Sequence, residues 1–253
     1  MVRFRVLYFP RTGLPGADSN SIYYIIQHVP RVLFAETPGN PAGKSIKVGG
    51  LDCYYAKSIS PSDKGTLIFT DVFGLSVSNV KLVADRFALQ GYPTFVPDLP
   101  DTSNYWPWAE RNPISRVLEE AERIIEEIRS KYGVKRLAGH GYCYGGKSTL
   151  ILNIAGKLDA IAVAHPSLLT ENNLKAVPGP VLYLCAEVDE MFTEDLRAFA
   201  EEEMKTRKVP SRFVLYPGTV HGFTLRYDSD DQEAVKQALD AQEQAIKFFN
   251  EYL

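Results

Sequence analysis

The chain is poor in cysteine: its 253 residues carry three, Cys53, Cys143 and Cys185, and no two share a CxxC spacing. That excludes a disulfide framework and a structural zinc site, and it suits a reducing compartment, so the cytoplasm is the expected location. An excess of one charge is lacking as well. Lys and Arg number 28 against 31 Asp and Glu, and the net charge is −3 with both signs interspersed. No electrostatic case exists for a nucleic-acid partner or an anionic membrane surface. No run reaches the roughly 20 apolar residues of a membrane span. The start, Met1-Val2-Arg3-Phe4-Arg5, is not followed by the apolar stretch of a signal peptide. Histidine is scarce too: His28, His140, His165 and His221 are the four candidates for any imidazole chemistry.

What remains is a pattern of short apolar runs and amphipathic segments, long enough for one large α/β domain. Residues 1–45 read differently from the rest, with Gly, Pro and Asp concentrated at 11–20 and paired prolines and glycines at 37–44. They are expected to form an N-terminal extension packed on a domain spanning 46–253. Gly49-Gly50 between two apolar runs signals a hairpin. Residues 66–70, 93–96, 134–138, 160–164, 181–185 and 212–216 read as strands. Residues 77–87, 114–128, 144–157, 192–204 and 232–252 show helical spacing. Strands alternating with helices predict a mostly parallel sheet with helices on both faces, with ligands beyond the C-terminal ends of the strands.

The run Gly141-Tyr142-Cys143-Tyr144-Gly145-Gly146 sets one thiol between glycines, after a strand-like segment and before a helix-like one. This is the layout of a nucleophile elbow, in which a tight turn pushes the nucleophile out of the sheet. The helix that follows aims its positive end at the thiol and favours thiolate. A nucleophile of this kind needs a base and a group to orient the base, following in the order nucleophile, acid, histidine. His221, in the loop after the last strand, holds the expected position of the base. His165, at the end of the strand after the elbow, is the rival and otherwise a pocket residue. His140 is expected to serve packing or hydrogen bonding. Asp189 is the preferred acid and Glu187 its rival. Gly141 to Ser148 also matches a phosphate loop formally, but no accompanying nucleotide feature supports that reading. Cys53 and Cys185 are expected in the core.

These pieces together resemble the dienelactone hydrolase family, of α/β-hydrolase fold. The elbow, the Asp189 loop, His221-Gly222-Phe223, Asp71-Val72-Phe73-Gly74 and Val96-Pro97-Asp98-Leu99 carry the resemblance, from about Lys44 onward. The segment from Glu36 to Lys44, with Gly49-Gly50-Leu51-Asp52, looks like fungal members. The resemblance implies Cys143 as nucleophile, His221 as base and Asp189 as its orienter. It implies an oxyanion hole from the backbone N–H groups of Tyr144 and Val72, the first of which the elbow geometry also predicts. It places a carboxylate near the thiol at Asp71, where bacterial members carry glutamate; otherwise Asp71 caps a turn. Arg226 matches an arginine for a substrate carboxylate, or else forms a surface ion pair. The second arginine of bacterial members is missing. Tyr105, Trp106 and Trp108 stand in that stretch instead, as a lid, a pocket wall or simple packing.

The expected function is therefore hydrolysis of a small-molecule lactone or ester through a Cys-His-Asp triad and an acyl-enzyme, without metal or organic cofactor. The rivals are a thioesterase, acyl-transfer or lactone-isomerising step on the same triad, and a non-catalytic binding protein that kept the elbow. Whether the chain forms a homodimer is left open.

Overall fold

The computed structural model describes residues 39–98 and 114–253. Most of the expected extension, 1–45, and the aromatic residues Tyr105, Trp106 and Trp108 lie outside the described residues, as does His28. Within them, β1 (Lys44–Val48) and β2 (Leu51–Ala56) form the expected hairpin. Then follow β3 (Lys64–Phe69), a single 3₁₀ turn at Gly74–Ser76, α1 (Ser78–Leu89) and β4 (Thr94–Pro97). Next come α2 (Ile114–Tyr132), β5 (Arg136–Tyr142), α3 (Tyr144–Ile154) and β6 (Ala160–Ala164). The chain closes with α4 (Glu171–Ala176), β7 (Val181–Val188), α5 (Glu194–Arg207), β8 (Ser211–Val220) and α6 (Gln232–Tyr252).

The strands form one eight-stranded sheet in the order β1-β2-β4-β3-β5-β6-β7-β8. β1 and β2 run antiparallel to their neighbours, and the pairs from β4 through β8 are parallel. Both faces are covered, so central strands such as Ala160–Ala164 are apolar without alternation. Their side chains nevertheless split by parity. Ile68, Ala138, Ala162, Leu182 and Leu184 pack with α1 and α6, through Val83, Phe87, Ala245 and Phe249. Leu67, Phe69, Leu137, Ile161, Val163 and Tyr183 pack with α2, α3 and α5, through Ile124, Ile128, Leu150 and Met204. In α2, Val117, Ala121, Ile124 and Ile128 recur every three or four residues and are buried, which is why this stretch is a helix laid on a sheet. The α6 start is fixed by Asp231, whose carboxylate accepts from the amides of Glu233 and Ala234 at 3.0 and 3.1 Å. This is the α/β-hydrolase fold.

Three strands are clearly longer than their apolar runs predict. β5 continues to Tyr142, β7 to Val188 and β8 to Val220. α4 has no counterpart among the predicted helices, although Thr170 and Asn173 form a capping box around its start. The elbow helix stops at Ile154, short of residue 157.

The parallel strands deliver their ends to one edge. Cys143 follows the last residue of β5, His165 that of β6, Asp189 that of β7 and His221 that of β8. Asp71 lies just beyond β3. Residues far apart in sequence thus share the edge where ligands bind in such sheets.

Candidate active site

Cys143 holds φ 53° and ψ −116°, a conformation that L-residues rarely adopt. Surroundings without side chains make it tolerable. A Cβ on Gly145 would collide with the carbonyls of Phe69 and Thr70, and one on Gly141 with the backbone of Gly145. Glycine at both positions lets the first turn of α3 close onto the end of β5 and onto the segment leading to Asp71 and Val72. Tyr144 opens α3, so its amide lies at the positive end of the helix, next to the sulfur. With α3 starting directly after Cys143, the stretch from Gly141 to Ser148 does not form a phosphate-wrapping loop.

The Cys143 thiol and the His221 ring face each other closely enough for each to shift the other's protonation. On the far side of the ring, Nδ1 lies 2.9 Å from both carboxylate oxygens of Asp189, so it donates there and leaves Nε2 for the sulfur. Asp189 is itself held, its Oδ1 accepting from the amides of Met191 at 2.8 Å and Phe192 at 3.1 Å. Glu187, the rival acid, is exposed and accepts from the Gly218 amide at 2.8 Å instead. Burial pushes the Cys143 thiol up, but the charge and close approach of His221, followed by Arg226, outweigh it. The net shift is below the ordinary value, with Asp71 acting the other way. For His221, burial works downward and is overcome by Cys143 and Asp189, raising the ring to about 10. The two groups titrate as a pair, and each shift favours the thiolate–imidazolium form over the neutral one.

His165 contacts the site without meeting the acid. Its Nε2 lies 2.7 Å from Thr224 Oγ1, and its ring stands edge-on to that of His221 at 4.9 Å between centroids. Burial first, then the charges of His221 and Arg226, push its pKa well below the ordinary value and keep it neutral. His140 is a core residue, its Nδ1 bonded to the Ala162 carbonyl at 3.0 Å and its pKa lowered by burial to about 4. Cys53 and Cys185 are buried, and burial pushes each thiol to about 12.

Asp71 and Arg226 form an ion pair inside the site, with side chains 0 and 10 % exposed, so the surface pairing is not realised. Asp71 also accepts from the Phe73 amide through Oδ1 at 3.0 Å, so it does cap the turn after β3. The Arg226 guanidinium lies 5.0 Å from the Phe73 ring centroid. Gly222, at φ 95°, is what lets Arg226 fold back, because a Cβ there would strike the guanidinium. The loop is pinned by Asn79 of α1, which donates to the Leu225 carbonyl at 2.8 Å. Val72 is buried and follows Asp71 directly.

One residue beside the sulfur escaped the sequence reading. Ser167 Oγ lies 3.6 Å from Cys143 Sγ. Its only signal is its place two residues after His165. Among the described residues no group of three or more His, Cys, Asp or Glu side chains could hold a metal ion. No helix among them is long and apolar enough to cross a membrane.

The family model for the dienelactone hydrolase family matches residues 51–253. The chain is similar to hydrolase tropI of Talaromyces stipitatus, with 32 % identity over 85 % of this chain and 92 % of the relative. It is similar to hydrolase pyvD of Aspergillus violaceofuscus at 30 % identity, again over 85 % and 92 % of the two chains. Among solved structures, a putative dienelactone hydrolase from Klebsiella pneumoniae superimposes with a TM-score of 0.69 at 19 % identity. That match covers 83 % of this chain and 98 % of the other, and shows the shared fold.

Proposed function

The chain belongs to the dienelactone hydrolase family and is a hydrolase acting on a small molecule, and on that premise we propose that it opens a lactone or ester through Cys143, His221 and Asp189 with an acyl-enzyme intermediate. The observation that carries this reading is the His221 ring, bonded through Nδ1 to the Asp189 carboxylate at 2.9 Å and electrostatically coupled to the Cys143 thiol.

The steps follow from those contacts. The thiol proton passes to His221 Nε2 and the electron pair stays on sulfur. The thiolate attacks the substrate carbonyl carbon, and the carbonyl electrons move to oxygen. The amides of Tyr144 and Val72 receive that oxyanion; one such donor is worth about 2.7–4 kcal/mol in a comparable site. Collapse expels the alkoxide, which takes the proton from His221 and leaves a thioester on Cys143. In a lactone the freed alcohol stays on the acyl chain. His221 then takes a proton from water, the hydroxide attacks the thioester, and the thiolate leaves. Asp189 keeps Nδ1 protonated and stabilises the imidazolium throughout.

Asp71 modulates the thiol by its charge, and Arg226 offsets it. Because the guanidinium is already paired, it is a weaker receptor for a substrate carboxylate than a free arginine. The residues Tyr105, Trp106 and Trp108, standing where bacterial members have a second arginine, support the same conclusion. We assign the enzyme a neutral, bulky lactone or ester. The cytoplasmic assignment rests on free Cys53, Cys143 and Cys185.

The test is hydrolysis of a panel of aryl esters and lactones by wild type beside Cys143→Ala. The variant should lose at least about 10⁴-fold, as triads do without their nucleophile. Turnover close to wild type would overturn the assignment.

A further inference from the structure

The segment His165-Pro166-Ser167, after β6, is clamped to the elbow from both ends. The Cys143 amide donates to the Ala164 carbonyl at 3.1 Å, and the Ser167 amide donates to the Cys143 carbonyl at 3.0 Å. Pro166 presses against Gly146, where an added Cβ would meet the proline Cβ at 2.9 Å. Two residues around Ser167 hold positive φ, His165 at 37° and Leu168 at 58°. Non-glycine residues adopt that conformation only where the surroundings over-determine it. The result is a buried hydroxyl, 2 % exposed at the residue level, at 3.6 Å from the sulfur. Among the described residues, Cys143 Sγ is the only hydrogen-bond partner of the Ser167 hydroxyl.

We propose that Ser167 is a positioning residue for the nucleophile: its hydroxyl holds the Cys143 sulfur in place and donates a hydrogen bond to the thiolate once the proton has passed to His221. The bookkeeping is simple. The S–H bond breaks, both electrons remain on sulfur, the proton goes to Nε2 of His221, and the Ser167 O–H bond stays intact. A donor aimed at the charged form lowers the cost of forming it. Among the described residues, the charged and titratable groups that act on the sulfur are His221 and Arg226 from the loop after β8 and Asp71 from the end of β3. His165, after β6, faces His221 rather than the sulfur. Ser167 thus adds a neutral donor to a site otherwise governed by charges. The proposal rests on Cys143 being the nucleophile, but its test requires no turnover.

The experiment is the pH dependence of iodoacetamide alkylation at Cys143, followed by peptide mass spectrometry, for wild type, Ser167→Ala, Ser167→Gly and Ser167→Thr. Circular dichroism of each variant checks the fold. The midpoint should rise by about one pH unit in Ser167→Ala, equivalent to about 1.4 kcal/mol. Ser167→Gly, which asks less of the packing, should match it. Ser167→Thr, which keeps the hydroxyl, should return toward wild type. The backbone bond from Ser167 to the Cys143 carbonyl survives in all of them, so a purely structural role would not move the midpoint this way. Coincident midpoints for wild type, Ser167→Ala and Ser167→Gly would overturn the proposal. So would a Ser167→Thr midpoint shifted as far as that of Ser167→Ala. A failure of the nucleophile assignment would appear elsewhere, as retained turnover in Cys143→Ala.

Discussion

Arg226 donates through Nη1 to Asp71 Oδ2 across 155 residues of chain, tying the loop after β8 to the end of β3 beside the Cys143 sulfur. The two charges act on the thiol in opposite senses: Arg226 favours thiolate and Asp71 opposes it.

Opposite substitutions should therefore move Cys143 in opposite directions. Asp71→Asn should lower the pH midpoint of Cys143 alkylation, and Arg226→Gln should raise it. Each change leaves one buried charge without its partner, so each should also cost about 3–5 kcal/mol in urea unfolding. Midpoints moving the same way in both variants would show that the pair does not control the thiol.

Turnover should be bell-shaped in pH. Reactivity rises as Cys143 ionises, and the lowered thiol value puts that acid limb below the range of an ordinary cysteine. Expulsion of the alkoxide needs the imidazolium, so activity should fall as His221 loses its proton near about 10. A kcat/KM profile with its acid limb at or above the ordinary thiol range would contradict the ion pair.

Asp189→Asn should cut kcat by orders of magnitude, since the same change in a serine protease triad costs about 10⁴. Glu187→Gln should leave kcat near wild type, because that carboxylate serves the Gly218 amide. The reverse pattern would move the acid to Glu187.

Much of this was legible in the sequence, for physical reasons. The elbow residues Gly141, Cys143 and Gly145 are local, and the parallel strands announce themselves as apolar runs that need no partner to be recognised. The ends of β5 were not legible, because Gly139, His140 and Gly141 interrupt the apolar pattern. They belong to a strand because they pair with β3 on one side and β6 on the other, and the two glycines are needed there because Leu158, Thr149 and the backbone of Gly145 leave no room for a Cβ. The pairing of Arg226 with Asp71 is set by topology alone, so sequence offered a surface partner as readily as a buried one. Ser167 carries no motif; its role depends on two positive-φ neighbours and on Pro166 packing against Gly146. α4 is not legible from periodicity because it has only six residues, although Thr170 and Asn173 mark its start.

Substrate choice should reflect the neutralised arginine. A neutral aryl lactone should show a lower KM than the same lactone bearing a carboxylate. Trp106→Ala or Trp108→Ala should raise KM more for a bulky ester than for a small one, as loss of about 1.5–3 kcal/mol of apolar burial would do. Preference for the anionic lactone would return Arg226 to the role of carboxylate receptor.

The acyl-enzyme is the central claim, and it can be caught directly. Wild type and Asp189→Asn would be mixed with an activated aryl ester, acid-quenched during turnover, and mapped by peptide mass spectrometry. The account predicts the acyl mass on the peptide carrying Cys143 and on that residue. An acyl group on Ser167, or steady turnover with no acylated peptide, would contradict it.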